Sequence, residues 1–201
     1  MKKLICLLLV LVYVLFSMCA YATDVSGGRY KVGEDIPEGD YSISFIKKGT
    51  NLTVWGSDYD DYRTNGGLLL NVVISKENKA LGKVVLKAGN VIDFSSALKI
   101  EKFKGLEFDS DKANKVWGGR YTVGVDIPAG SYTISVIDKS TNLTVWGADY
   151  GDYQTNGGLL LNVVINKKSN PSLGKVILEE GNVIDFESQL LFEKYTGLSF
   201  D

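Results

Sequence analysis

The sequence GRYKVGEDIPEGDY at residues 28–41 returns as GRYTVGVDIPAGSY at residues 119–132. A second stretch, TNGGLLLNVVI, occurs unchanged at residues 64–74 and 155–165. The two copies are about 91 residues apart, whereas solenoid repeats are roughly 20–50 residues long. The repeated unit is therefore the size of a small domain, and the chain contains that unit twice.

The limits of the repeat predict the domain boundaries. We expect copy one to span residues 27–109 and copy two to span residues 118–201, with residues 110–117, which begin with the polar stretch 110–115, as a short linker. Domains of this size bury only about 60–65% of the surface that the unfolded chain exposes. This favours packing of the two copies on each other.

Apolar and polar residues alternate along each copy with a period of two. Tyr41, Ile43 and Phe45 alternate with serines, and no long helical period follows the first 22 residues. The pattern predicts an all-β fold: two tandem small antiparallel β-sandwich or jelly-roll-like domains, with about seven short strands in each. Leu69 and Val73 add apolar residues to the second face of the longest strand, which predicts a central strand that is covered on both sides.

The first 22 residues have the pattern of a secretory signal peptide. Two lysines precede the uncharged apolar run 4–16, and Ala20-Tyr21-Ala22 matches a cleavage site, so we expect cleavage after Ala22. Two alternatives remain open: retention of this segment as a membrane anchor, and lipid attachment at Cys19. The predicted location is outside the cell or on the cell envelope, either secreted or lipid-anchored through Cys19.

The pattern Tyr-x-Val-Gly-x-Asp-Ile-Pro-x-Gly-x-Tyr, at residues 30–41 and 121–132, resembles a β-module of exported proteins and lipoproteins of Gram-positive and related bacteria. The sequence GNVIDF at residues 89–94 and 181–186 is also similar to that module. The resemblance covers nearly all of the chain after the signal peptide. It implies a small β-domain on or outside the cell envelope, and it implies no activity and no site residues.

Composition excludes several classes of function. The chain has 22 Lys and Arg against 24 Asp and Glu, so it lacks the basic surface of a nucleic-acid-binding protein. It has no His, which excludes Ser-His-Asp triads and imidazole metal sites. Its two cysteines, Cys6 and Cys19, both lie in the signal peptide. No pair of carboxylates stands out, and we predict no enzymatic activity and no catalytic residue.

The most unusual segments are WGSDYDDY at residues 55–62 and WGADYGDY at residues 146–153. Aromatic rings stack on the apolar faces of sugars, and carboxylates accept hydrogen bonds from sugar hydroxyls. The predicted ligand-binding residues are Trp55, Tyr59, Asp61, Tyr62, Trp146, Tyr150, Asp152 and Tyr153. The competing interpretation is structural, with the rings packed on the sheet at the edge of the core.

Calcium binding by the same loop is a weaker hypothesis. Asp58, Asp60 and Asp61 are oxygen donors, but they lack EF-hand spacing, and Gly151 replaces Asp60 in copy two. We therefore predict neither a metal nor a cofactor.

These observations favour an exported two-module binding protein whose ligand is an envelope or extracellular polysaccharide. Two weak sites in tandem gain roughly 10²–10⁴ in avidity when both engage together. The alternative is a structural or protein-interaction module of the cell envelope with no small ligand, in which the sheets present edges or faces to a partner protein. Neither function predicts a nucleic-acid partner or a membrane span after signal cleavage.

Overall fold

The computed structural model describes residues 22–56, 67–147 and 158–198. Residues 1–21 of the predicted signal peptide and most of the two candidate loops lie outside the described residues. Among those that are described there is no α-helix, and no helix is long and apolar enough to cross a membrane. The chain is built from 16 strands in the described residues, eight in each half.

The first half contains β1 (Thr23–Val25), β2 (Gly28–Lys31), β3 (Gly39–Phe45), β4 (Thr50–Trp55), β5 (Leu68–Ile74), β6 (Ala80–Leu86), β7 (Val91–Phe94) and β8 (Leu98–Lys102). The second half contains β9 (Asn114–Val116), β10 (Gly118–Thr122), β11 (Gly130–Val136), β12 (Thr141–Trp146), β13 (Leu159–Ile165), β14 (Ser172–Leu178), β15 (Val183–Phe186) and β16 (Leu190–Lys194).

Each half has the strand order of an eight-stranded jelly roll. In the first half, the order β1-β8-β3-β6 faces the order β2-β7-β4-β5, and all of these pairs are antiparallel. The second half repeats both orders, with β9-β16-β11-β14 and β10-β15-β12-β13. The predicted all-β sandwich or jelly-roll fold is confirmed, with one more strand in each half than the alternation indicated.

Alternation along the strands produces a dry interior between the facing sheets. Ile43 of β3 and Leu52 of β4 are completely buried in one apolar cluster, and Ile134 and Leu143 occupy the same positions in a second cluster. Full burial of such a side chain contributes about 1.5–3 kcal/mol. These two clusters supply most of the stabilisation that holds each pair of sheets together.

The halves also share structure across the predicted linker. Phe103, Leu106 and Phe108, from the end of predicted copy one, pack against the second cluster. Residues 114–116 of the predicted linker form β9, which pairs with β16. The division into two domains at these boundaries therefore stays a prediction.

The longest apolar strand is not the central strand that its sequence predicted. Among the described residues, β5 pairs only with β4 and lies at the edge of its sheet, and β13 lies at the corresponding edge. Val73 is 53% exposed and Val164 is 57% exposed. The prediction was wrong because apolar residues on both faces indicate burial only when another layer covers the second face.

The repeated motif around Asp35 closes a tight turn next to the first long strand. Gly33 takes φ +94°, a conformation that favours glycine, and its amide donates to the carbonyl of Ile36. Asp35 then accepts a hydrogen bond from the amide of Lys31 through Oδ2 at 2.8 Å. The second half has the same arrangement, in which Asp126 accepts from the amide of Thr122 at 2.8 Å.

The two halves join through β6 and β10, which are the only parallel pair among the described strands. Leu81 pairs with Gly118 and Lys83 pairs with Gly119, across a bulge. A Cβ at Gly119 would collide with the backbone of Lys83, so the close approach of β6 requires glycine at that position. The result is one eight-stranded sheet, β1-β8-β3-β6-β10-β15-β12-β13.

Candidate functional site

A row of polar residues crosses the outer face of the sheet β2-β7-β4-β5. In register, Arg29 lies opposite Asp93, Asp93 opposite Thr53, and Thr53 opposite Asn71. Successive residues of a strand point to opposite faces, and the neighbours of this row, such as Ile92, are buried in the core. The second half carries the same row, Arg120, Asp185, Thr144 and Asn162.

The aspartate of each row holds an arginine and a tryptophan together. Arg29 donates through Nε and Nη2 to the two carboxylate oxygens of Asp93, at 2.7 and 2.9 Å. The indole Nε1–H of Trp55 donates to Asp93 Oδ2 at 3.1 Å. We call this group of three side chains the Trp–Asp–Arg cluster. A bidentate arginine–carboxylate contact adds geometric specificity to the attraction between the charges, so the cluster is a preorganised unit.

The second Trp–Asp–Arg cluster reproduces the first within a few tenths of an ångström. Arg120 donates to Asp185 at 2.7 and 2.6 Å, and Trp146 Nε1–H donates to Asp185 Oδ2 at 3.1 Å. Both tryptophans are half-buried. The indole Nε1–H of each is held by the aspartate of its cluster.

The surroundings of the two clusters differ. The second cluster lines a cleft of about 370 Å³ between the halves, together with Leu69 and Val85 from the first half. This volume falls within the roughly 300–1,000 Å³ of small-molecule sites. Arg29 and Asp93 of the first cluster line an open groove that also contains Asn51 and Thr53. Accordingly, the side chain of Arg120 is 15% exposed, and that of Arg29 is 40% exposed.

The structure describes two of the eight sequence-predicted site residues, Trp55 and Trp146, and places each in a Trp–Asp–Arg cluster. The other six lie outside the described residues: Tyr59, Asp61, Tyr62, Tyr150, Asp152 and Tyr153. The calcium hypothesis also concerns this segment. Within residues 22–56, 67–147 and 158–198, no group of three or more His, Cys, Asp or Glu could hold a metal ion.

Sequence reasoning missed the arginine and aspartate of each cluster. The available signal was the identity of GRY at residues 28–30 and 119–121, and of the aspartate within GNVIDF, at outward-facing positions of both copies. That signal does not show that Arg29 and Asp93 meet, because they are 64 positions apart and only the β2–β7 pairing brings them together.

Neither a scan against protein-family models nor a search of curated proteins finds a match for this chain. The resemblance to the exported bacterial β-module therefore stays a prediction that rests on the repeated motif.

Proposed function

We propose that the protein is an exported two-module binding protein, and that it holds an envelope or extracellular polysaccharide at its two Trp–Asp–Arg clusters. The observation that supports this most directly is the repetition of the cluster, with the same three side chains at matching distances. The same half-buried indole and ion pair are thus offered twice, as an avidity mechanism requires.

The chemistry of the cleft suits a neutral sugar. The Arg120–Asp185 pair carries no net charge, so it gives little attraction for an anion or a cation. Trp146 offers an apolar ring surface, and Asn142 and Thr144 line the same cleft with groups that hydrogen-bond to hydroxyls. Leu69 and Val85 supply the apolar wall that small-ligand sites ordinarily have.

A catalytic role is not part of the proposal. Glycoside hydrolysis ordinarily needs two carboxylates on either side of the scissile bond. Each cluster contains one, and the second carboxylate that lines the cleft, Glu187, has no counterpart in the groove of the first cluster. In the described residues Asp93 and Asp185 are both engaged by an arginine and a tryptophan. This arrangement suits a ligand-holding surface better than proton transfer.

The test is isothermal titration calorimetry against a panel of soluble neutral oligosaccharides. We expect heat of binding for at least one member of the panel, and a loss of at least about tenfold in affinity for Trp146→Ala. Trp117→Phe is the matched aromatic control, because Trp117 belongs to neither cluster. Retained affinity in a Trp55→Ala/Trp146→Ala variant that still melts cooperatively would contradict the proposal.

A structural or protein-interaction role is the second candidate, and a different observation favours it. Among the described strands, β2 and β14 each have a hydrogen-bonded neighbour on one side only. Open strand edges accept a strand from a partner chain, with backbone hydrogen bonds that supply affinity.

A further inference from the structure

We propose that the protein associates head to tail with a second copy of itself, and that β14 of one molecule pairs in parallel with β2 of the next. The contact would repeat the β6–β10 contact that already exists inside the chain. This inference names the partner for the second candidate role, and it does not depend on polysaccharide binding. We call the β14 edge the tail and the β2 edge the head.

The internal contact shows what such an interface needs. Gly82 of β6 lies against Tyr121 and Trp117, and a Cβ on Gly82 would collide with the Tyr121 hydroxyl. Asn78 crosses the interface and donates through Nδ2 to the carbonyl of Glu187 at 3.1 Å. The two strands therefore approach closely because both carry glycine, and a side-chain amide fixes their register.

An ion pair is at the centre of the internal contact. Lys83 Nζ lies 2.6 Å from Asp126 Oδ2 and 3.2 Å from Asp40 Oδ2. The side chains of Lys83 and Asp126 are 8% and 5% exposed. Removal of one member of such a pair leaves a buried charge without compensation, so the pair selects for one arrangement of the strands.

The tail repeats the β6 side of this contact. LGKVIL at residues 173–178 corresponds to LGKVVL at residues 81–86. Lys175 lies 5.1 Å from the Tyr195 ring, as Lys83 lies 5.3 Å from the Phe103 ring, but Lys175 is exposed. The tail thus presents a lysine in the position from which Lys83 reaches across.

Gly174 is the clearest sign of a missing neighbour at the tail. A Cβ at Gly174 would meet nothing within 4 Å, whereas the corresponding Gly82 is packed against the second half. Glycine inside a strand is unfavourable by roughly 0.5–1 kcal/mol relative to alanine. Such a glycine often marks a place where another backbone approaches closely.

Apolar residues that the internal contact covers have exposed counterparts at the tail. In the first half Leu69 and Val85 line the cleft, and Leu106 packs against the apolar core of the second half. Their counterparts are strongly exposed: Leu160 at 59%, Ile177 at 59% and Leu198 at 70%. A second molecule at the tail would cover the same three positions.

The head repeats the β10 side. Asp35 is oriented by the Lys31 amide at 2.8 Å, as Asp126 is oriented by the Thr122 amide, but Asp35 is exposed. Gly28 corresponds in sequence to Gly119, the residue at which β6 approaches β10 closely. The head therefore offers a positioned carboxylate and a glycine edge to an incoming Lys175.

Association would also complete the open candidate site. In the chain, Leu69 and Val85 turn the second Trp–Asp–Arg cluster into the floor of a cleft. In the assembly, Leu160 and Ile177 of a neighbour would cover the first cluster in the same way. Because the head and the tail are different surfaces, the contact is heterologous and builds open chains rather than a closed two-fold dimer.

The contact between molecules is weaker than the one inside the chain. Ser26, Lys31 and Glu34 at the head replace Trp117, Thr122 and Val125, and charged residues on an edge disfavour strand pairing. The internal contact also has the millimolar effective concentration that a short linker supplies. We therefore expect association only at high protein concentration.

The experiment is sedimentation velocity on the exported protein from about 1 μM to about 1 mM, the range that reaches the effective concentration of a short linker. We expect sedimentation coefficients that rise without a plateau at the dimer. Lys175→Asp and Asp35→Lys should each raise the concentration of half-association at least about tenfold, because each creates a like-charge contact. Lys48→Asp, a change at an exposed bend away from both edges, is the matched control.

A mixture of the two single variants makes the test specific. The intact tail of Asp35→Lys meets the intact head of Lys175→Asp, and the other two ends meet with their charges exchanged. Equal amounts should therefore recover association that neither variant shows alone. A monomer up to about 1 mM, a plateau at the dimer, or association that neither variant weakens would overturn the inference. Calorimetry with oligosaccharides reads polysaccharide binding separately, so failure of one proposal leaves the other measurable.

Discussion

Lys83 of the first half and Asp126 of the second half form an ion pair of 2.6 Å in which both side chains are almost completely buried. The two residues are 43 positions apart in the chain, and they meet because β6 and β10 lie side by side. This pair ties the two halves into one sheet. The corresponding lysine of β14, Lys175, is exposed. The effects of the same substitution at a buried and an exposed lysine can therefore be compared within one molecule.

Replacement of Lys83 by methionine should destabilise the protein by about 3–5 kcal/mol, because Asp126 would remain buried without its cation. Lys175→Met is the matched control, and we expect a change within about 0.5 kcal/mol for this exposed residue. Urea denaturation at low micromolar concentration measures both. Equal effects of the two substitutions would show that the buried pair does not stabilise the contact between the halves.

The glycines of β6 and β14 should respond to valine in opposite directions. Gly82→Val would push against Tyr121, and overpacking of this kind costs about 1–3 kcal/mol. Gly174→Val meets no atom within 4 Å and gains strand propensity, so the free energy of unfolding should rise by up to about 1 kcal/mol. Thermal or urea unfolding of the dilute protein distinguishes the two, and destabilisation by both would contradict the difference in packing.

Loss of the aspartate should weaken the second Trp–Asp–Arg cluster more than the first. Asp185→Ala removes two hydrogen bonds to the mostly buried Arg120, and we expect a loss of about 1.5–3 kcal/mol. Asp93→Ala affects the more exposed Arg29 and should cost less, about 1 kcal/mol or below. Urea denaturation of both variants gives the comparison. A larger loss for Asp93→Ala would mean that exposure of the arginine does not set the strength of the cluster.

Stability should fall at alkaline pH partly through Tyr121. Burial raises the pKa of this phenol, whose hydroxyl donates to the carbonyl of Trp117 at 2.7 Å. The folded state keeps the phenol neutral, whereas the unfolded state ionises it above its ordinary pKa of about 10. The contribution of Tyr121 is therefore complete below that pH and is lost progressively as the pH rises above it.

Tyr121→Phe checks this assignment. The variant cannot ionise at this position, so its stability should fall less steeply from about pH 10 upward, by up to about 1.4 kcal/mol per pH unit relative to the wild type. Urea denaturation from about pH 9 to about pH 11.5 measures the slope. Parallel slopes for the two proteins would show that Tyr121 ionises equally in the folded and unfolded states.

Much of the architecture was readable from local pattern. The duplicated GRY and DIP segments predicted a repeated unit, and the period-two alternation of Tyr41, Ile43 and Phe45 predicted strands with one buried face. An indole next to glycine and acidic residues is unusual in a strand-rich sequence, and this pattern predicts a role for the tryptophans at the ends of β4 and β12. The arginine and the aspartate of each cluster do not follow from that signal, since no pattern along the chain connects Trp55 to Arg29.

The sequence by itself determined the all-β class, the duplication and which residues of each strand face the core, because alternation and turn residues act over a few neighbouring positions. Only the tertiary structure decided that β5 lies at an edge, that Asp93 joins Arg29 to Trp55, and that Lys83 lies buried while Lys175 is exposed. The physical reason is that strand pairing joins positions far apart in the chain. Two nearly identical segments can therefore have different neighbours, and burial depends on the neighbour.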